Sequence, residues 1–329
     1  MKKMIFVLIT LLLVPSAAYA DTGDVPFSVA PVFPDNQSEE ITDYFDLEMK
    51  PGDEQQLKVK LFNTTAKMKE ITISANSAVT NGNGLIVYDG SLKSEQQQPF
   101  SELAEVKEKT VKLAPGETRT TSIKVKAPDK DFDGELLGGL HFLQKADTDE
   151  TGSVQIKNNY AYVIAVRLHE QGNDTAVEPK LSLKKVKPAL AGYRTAVKAT
   201  FVNEEPVRMS KLKFDAQVFR KGSDKPLYVQ SIDSFAIAPD GTFEVPMLLN
   251  NQPLEAGDYI YKATFKDGSQ TYPLQKEFTI NREQAEKVNS QAIELDKQTN
   301  WWLYIAAALL AIIGLLIYLV VRLSRKVKG

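Results

Sequence analysis

The sequence predicts an all-β protein: two tandem immunoglobulin-like β-sandwich domains, then a helical stalk and one C-terminal transmembrane helix. Three observations carry that expectation. Apolar residues alternate with period two from Asp46 onward, Pro-Gly and Asn-Gly turn signals punctuate the alternating runs, and an unbroken apolar run from Trp301 to Val321 leads into basic residues. Alternation buries one face of a sheet, and Gly and Pro mark where strands turn.

At the front, Lys2 and Lys3 precede the apolar stretch Met4 to Val14, followed by Pro15 and the small-residue triplet Ala18-Tyr19-Ala20 before Asp21. This is signal-peptide grammar, with cleavage expected after Ala20, so residues 1–20 are set apart. The first domain, 21–172, opens its clearest strands with Leu57, Val59 and Leu61 alternating with Lys58, Lys60 and Phe62, and with Ile71 and Ile73 alternating with Thr72 and Ser74. Pro51-Gly52-Asp53 and Pro115-Gly116-Glu117 each read as a type II turn feeding a strand. Gly138 and Gly139 with Leu140, Phe142 and Leu143, and then Tyr160 to Leu168 beyond a polar loop at 145–153, read as central strands.

Gln171-Gly172-Asn173-Asp174 is polar and weak in regular structure, and is the expected boundary. The second domain, 173–280, contains strand runs Lys180 to Val186, Tyr193 to Asn203, Leu212 to Phe219, Leu227 to Phe235, Thr242 to Leu249, Tyr259 to Phe265 and Leu274 to Ile280. Seven short strands in about 100 residues fit an immunoglobulin-like sandwich, and Ala256-Gly257-Asp258-Tyr259 resembles a tyrosine corner. In 281–300, Ala285, Val288, Ala292 and Leu295 recur at helical spacing, so an amphipathic stalk helix continuing into the span would lift the domains ~30 Å.

Residues 301–321 would reach ~31 Å as a helix, enough for the hydrocarbon core of a bilayer. Trp301, Trp302 and Tyr304 suit the outer interface and Tyr318 the inner one. Arg322, Arg325, Lys326 and Lys328 then make 322–329 a cytoplasmic tail, with the domains extracellular on the cell-wall side of the membrane.

Composition narrows the function. Against 40 Lys and Arg stand 42 Asp and Glu, and Lys2, Lys3 and the tail cations fall outside the exported part, which is therefore acidic. Binding to nucleic acid is not expected from such a surface. Cysteine is absent, which removes disulfides, thiol catalysis and cysteine-metal sites together, so stability must come from burial.

The motifs that could carry chemistry have plainer readings beside them. Asp129, Asp131, Asp133 and Gly134 match the front of a calcium loop, but Leu140 stands where a bidentate Glu is needed, leaving a strand-connecting loop with weak calcium binding as the alternative. His141 and His169 sit in strand-like runs with no nucleophile or ligand at motif spacing. No catalytic residue, metal or cofactor is expected. Acids are plentiful, so a cell-wall-modifying hydrolase with an unrecognised carboxylate pair is the rival reading. Thr80-Asn81-Gly82-Asn83-Gly84 suits a tight hairpin, while Asn76, Thr80, Asn81, Asn83 and Tyr88 are the candidate ligand contacts, offering amide, hydroxyl and aromatic groups to a sugar or peptide.

Phe27 to Gln37, Tyr44 to Leu47 with Pro51 and Gly52, Asn76 to Ala78 followed by Thr80 to Tyr88, and Phe132 to Gly134 with Gly138 and Gly139 resemble the N-terminal domain of WxL-interacting proteins. The remainder of the exported part is similar to their second domain. The resemblance implies a non-enzymatic cell-surface adaptor of Gram-positive bacteria. Its first domain would bind peptidoglycan and its second host matrix proteins or secreted WxL-domain proteins.

Overall fold

The computed structural model describes residues 25–145, 158–173, 176–268, 270–293, 295 and 301–327, with side chains of the last helix described at 305–318. The expected signal segment 1–20, loop residues 146–153 and Lys328 lie outside the described residues.

In the first sandwich the chain runs β1 (Phe27–Val32), β2 (Phe45–Met49), β3 (Glu54–Asn63), β4 (Lys69–Ser77), β5 (Val79–Thr80), β6 (Ile86–Val87), the short helix α1 (Phe100–Leu103), β7 (Ala104–Glu105), β8 (Thr110–Leu113), β9 (Thr118–Lys126), β10 (Leu136–Gln144) and β11 (Tyr160–Glu170). One sheet has the order β1-β3-β9-β7 and the other β2-β11-β10-β4-β8, while β5 and β6 form a separate two-stranded ribbon. Strands β2 and β11 pair in parallel. The alternation of β3 works as expected: Leu57, Val59 and Leu61 are fully buried and the intervening lysines are exposed.

Both Pro-Gly turns form. Asp53 N–H donates to the Lys50 carbonyl and Glu117 N–H to the Ala114 carbonyl, each at 3.1 Å, with Gly52 and Gly116 at positive φ as a type II turn requires. The sequence between Asp129 and Gly134 connects β9 to β10. There Asp129 pairs with Lys126 at 2.6 Å, and Asp133 accepts a 2.9 Å bond from Asn173.

The second sandwich contains β12 (Leu181–Ala191), β13 (Arg194–Asn203), β14 (Met209–Arg220), β15 (Pro226–Ile237), β16 (Gly241–Leu248), β17 (Gly257–Asp267) and β18 (Gln270–Ile280). Sheets β12-β13-β16 and β15-β14-β17-β18 face each other in the immunoglobulin-like manner. Phe201, Phe214, Phe235 and Phe265 lie fully buried between them, with centroids of neighbouring rings 4.8–5.9 Å apart. The tyrosine corner is present, since Tyr259 Oη donates to the Glu255 carbonyl at 2.9 Å.

The strand order fixes two ends. At one end Asn203 Nδ2 donates to the carbonyls of Val207 and Ala238, tying the β13–β14 and β15–β16 connections together. At the other, Thr195 Oγ1 donates to the Gln252 carbonyl and Lys221 N–H to the Asp258 carbonyl.

The expected stalk is corrected by the structure. Its helix, α2 (Arg282–Gln291), begins with a capping box between Asn281 and Gln284 but ends where Ala292 turns extended. It folds back onto the second sandwich: Ala285 is buried, the Asn289 side chain bonds both backbone groups of Leu254, and Ile293 N–H donates to the Tyr193 carbonyl at 3.0 Å. Apolar contact and a doubly bonded amide outcompete a free-standing helix, and the residues through Ile293 belong to the domain's surface.

Beyond it, α3 (Trp301–Val327) is one continuous helix of 27 residues. Among the described residues no helix is long and apolar enough to cross a membrane. The described side chains of α3 cover only 305–318, and these include Leu309, Leu310, Ile312, Ile313, Leu315, Leu316, Ile317 and Tyr318, all exposed. Trp301, Trp302, Tyr304, Arg322, Arg325 and Lys326 fall on the same helix, with their side chains outside the description.

The corner bond gives the first test. Tyr259→Phe keeps the ring stacked on Phe278 and removes only the hydroxyl, so urea unfolding should show a loss of about 1 kcal/mol. An unchanged midpoint would mean that the hydroxyl exchanges freely with water.

Candidate functional site

The segment from Ala75 to Gly90 crosses from the first sandwich onto the second. Its tip is the Asn-Gly turn: Asn81 N–H donates to the Leu85 carbonyl at 2.9 Å, and the Asn81 side-chain oxygen accepts from the N–H groups of Asn83 and Leu85. A short amide that caps its own turn is why this composition folds into a ribbon without many strand residues.

The ribbon is fastened to the end of β15. Ala238 N–H donates to Thr80 Oγ1 at 2.8 Å and Ala236 N–H to the Gly84 carbonyl at 2.7 Å. Gly84 has φ +76° and a Cβ there would run into the Phe235 ring, so backbone approaches aromatic core as closely as it can. Ala78, Leu137 and Ala238 form a small buried cluster with Ile86 and Tyr88 packed on it, joining side chains of both sandwiches. Gln96 Nε2 donates to the Pro239 carbonyl and Gln97 N–H to the Asp240 carboxylate, both at 2.9 Å, and burial pushes the Asp240 carboxyl up.

A second seam is ionic. Glu135 N–H donates to the Pro206 carbonyl, and Arg208 N–H donates to Glu135 Oε1, each at 2.8 Å, while the other Glu135 oxygen receives Arg167 Nε at 2.5 Å. Arg167 Nη1 also contacts both oxygens of Asp46 at 3.2 Å, and His169 Nε2 lies 3.5 Å from that carboxylate. Asp46 and Glu135 are almost fully buried. Burial would lower the Arg167 pKa, but Glu135 and Asp46 together hold the guanidinium charged and raise it.

Four of the five sequence-predicted contacts, Thr80, Asn81, Asn83 and Tyr88, lie on or at the end of the ribbon, while Asn76 lies in β4 and is tied to the ribbon's end through Tyr88; most of them have structural partners. Asn76 Nδ2 donates to the Tyr88 carbonyl at 2.7 Å and to Ser74 Oγ at 3.1 Å. Thr80 is buried at the junction, Asn81 closes the turn, and the Tyr88 phenol is pushed up to about 12 chiefly by burial. Asn83 is exposed.

Two clefts adjoin the ribbon. One of about 400 Å³ is lined by Val79, Thr80, Leu92, Lys93, Lys198 and Glu244 among others. A neighbouring one of about 450 Å³ is lined by Asn83, Arg194, Val229, Gln230 and Asn250 among others, and the two share Ala191 and Pro246. Both clefts mix apolar side chains with amide and charged ones, a lining suited to a polar ligand rather than a compact apolar molecule.

Sequence reasoning missed Asp46, Glu135, Arg167, Pro206 and Arg208. The signal was there for Arg167, a charge inside the otherwise apolar run Tyr160 to Leu168, which calls for a buried partner.

Comparison with known proteins gives two family matches. A profile described as WxL Interacting Protein, peptidoglycan binding domain, matches residues 27–144, and one described as WxL Interacting Protein, host binding domain, matches residues 151–290. The second match begins before β11, although β11 is hydrogen-bonded between β10 and β2 in the first sandwich. No curated protein matches. Among solved structures, the CsuC–CsuE chaperone–adhesion subunit complex of Acinetobacter baumannii is similar at 10% identity, covering 76% of this chain and 97% of that one, with a TM-score of 0.31. The E. coli chaperone DraB is similar at 13% identity, covering 78% and 96%, with a TM-score of 0.29.

The seam can be weighed by substitution. Thr80→Val is isosteric and strands the buried Ala238 N–H, a cost of about 1–3 kcal/mol, and Gly84→Ala adds backbone strain and a clash with Phe235. Calorimetry should show the two sandwiches melting together in the parent and separately in Gly84→Ala. Coincident melting in both proteins would show that the ribbon contributes little to the coupling.

Proposed function

The chain belongs to the WxL Interacting Protein family, and on that premise we propose that it is a non-enzymatic adaptor tethered to the outer face of the membrane. Its first sandwich, 21–172, holds peptidoglycan. Its second, 173–280, holds secreted WxL-domain proteins or host matrix proteins. The observation that supports this best is the union of the two matched domains through the Val79 to Tyr88 ribbon, with two adjoining clefts beside it. A polymer strand lying there touches both domains at once, so wall contact and partner contact are made by one body.

Asn83, Lys93, Glu95 and Lys198 are the side chains we assign to ligand contact in those clefts, with the other ribbon residues shaping them. Strand β15 supplies a further surface for a protein partner. It is a sheet edge of 12 residues with Leu227 and Val229 exposed, and such an edge accepts an added strand. The tether is the helix α3, whose sequence is apolar from Trp301 to Val321. Its outward leucines and isoleucines have no protein surface over them, and lipid would cover them.

Retention assays test the reading. The full chain in detergent should be retained by purified cell walls and by secreted WxL-domain proteins. Combined Asn83→Ala, Lys93→Ala and Glu95→Ala should weaken wall retention about tenfold, equivalent to roughly 1.4 kcal/mol. Retention by neither partner would sink the adaptor assignment, and release of soluble wall fragments lost on changing single acids would replace it with a hydrolase.

A further inference from the structure

The exit end of the second sandwich carries two large exposed apolar side chains side by side. Tyr193, at the tip of the β12–β13 hairpin, is 67% exposed, and Ile293, whose N–H donates to the Tyr193 carbonyl, is 72% exposed. Tyr193 also has φ 61°, a left-handed conformation that is costly for a bulky residue. A turn that needs positive φ is normally given Gly, Asn or Asp, so a tyrosine held there in water is a local conflict that packing does not explain.

We propose that this tip rests in the headgroup layer of the bilayer, with Tyr193 and Ile293 at the boundary of the acyl chains. The inference rests on the membrane-tether reading of α3. Its occupant is set by chain length: fully extended, the backbone from Ile293 to Trp301 spans at most roughly 29 Å. An 11-residue strand of the same sandwich is longer, at about 37 Å. Since α2 is fastened to Leu254 and Ile293 to Tyr193, the exit end cannot leave the lipid surface by even one domain length. A tyrosine combines an apolar body with a polar tip, which suits the interface.

The absence of cysteine makes the test direct. Three single-cysteine forms of the full chain, Tyr193→Cys, Asp267→Cys and Ile313→Cys, are labelled with an environment-sensitive dye and reconstituted in vesicles of phosphatidylcholine and phosphatidylglycerol containing nitroxide lipids. Asp267 lies at the opposite end of the sandwich, where β17 turns into β18. The label at 193 should lose fluorescence to nitroxides at headgroup depth, the label at 313 to nitroxides deep in the acyl chains, and the label at 267 to neither. Quenching at 313 with none at 193 overturns the docking while leaving the tether intact. No quenching at 313 overturns the tether, and the docking with it.

Discussion

Two backbone N–H groups at the end of β15, those of Ala236 and Ala238, determine how the molecule is assembled. They lie at a sheet edge, and the first sandwich supplies both acceptors, the Gly84 carbonyl and the Thr80 hydroxyl. A buried N–H without a partner costs about 1–3 kcal/mol, so loss of the ribbon would destabilise the second domain, at Ala238 above all. The junction then becomes part of each fold, and the clefts beside the ribbon acquire fixed walls.

The ionic seam adds orientation. Glu135 binds Pro206 and Arg208 of the second sandwich through its N–H and one side-chain oxygen, and Arg167 of the first through the other. Buried ion pairs contribute little net stability because desolvation offsets attraction, but a carboxylate with bonds on both sides has few geometries to choose from. The apolar contacts of Ala78, Leu137 and Ala238 tolerate sliding. The Glu135 bonds do not, and together the two seams fix one angle between the sandwiches.

How far the sequence reveals this depends on the range of each interaction. Strand alternation is local, so the seven strands of the second domain were legible with ends shifted by a few residues, and so were the turns at Gly52 and Gly116 and the corner at Tyr259. Asn81 in its turn was legible for the same reason, since the amide bonds its own neighbours. The destination of that turn was not, because Thr80 and Ala238 are 158 residues apart and no periodicity links them. Likewise the helical spacing from Ala285 to Leu295 predicted a long stalk, whereas Asn289 bonding Leu254 and Ile293 bonding Tyr193 draw the chain onto the sandwich. Arg167 shows the intermediate case: its position announces a partner but not that Glu135 and Asp46 provide it.

Strand count settles which end of the body faces which way. The neighbouring strands within both sheets of the second sandwich are antiparallel, and the connections alternate between its two ends. A chain that enters at the junction and passes an odd number of strands must leave at the far end. Seven strands therefore separate the ribbon contacts at Ala238 from the exit beside Tyr193 by the length of the domain, whatever the side chains do. An even count would return the chain to the junction. The separation of the hydrogen-bonded junction from the exit end is thus a consequence of topology, with Asn289 and Ile293 fixing its last few residues, and the clefts beside the ribbon extend along the domain between the two, as far as Gly192 and Arg194.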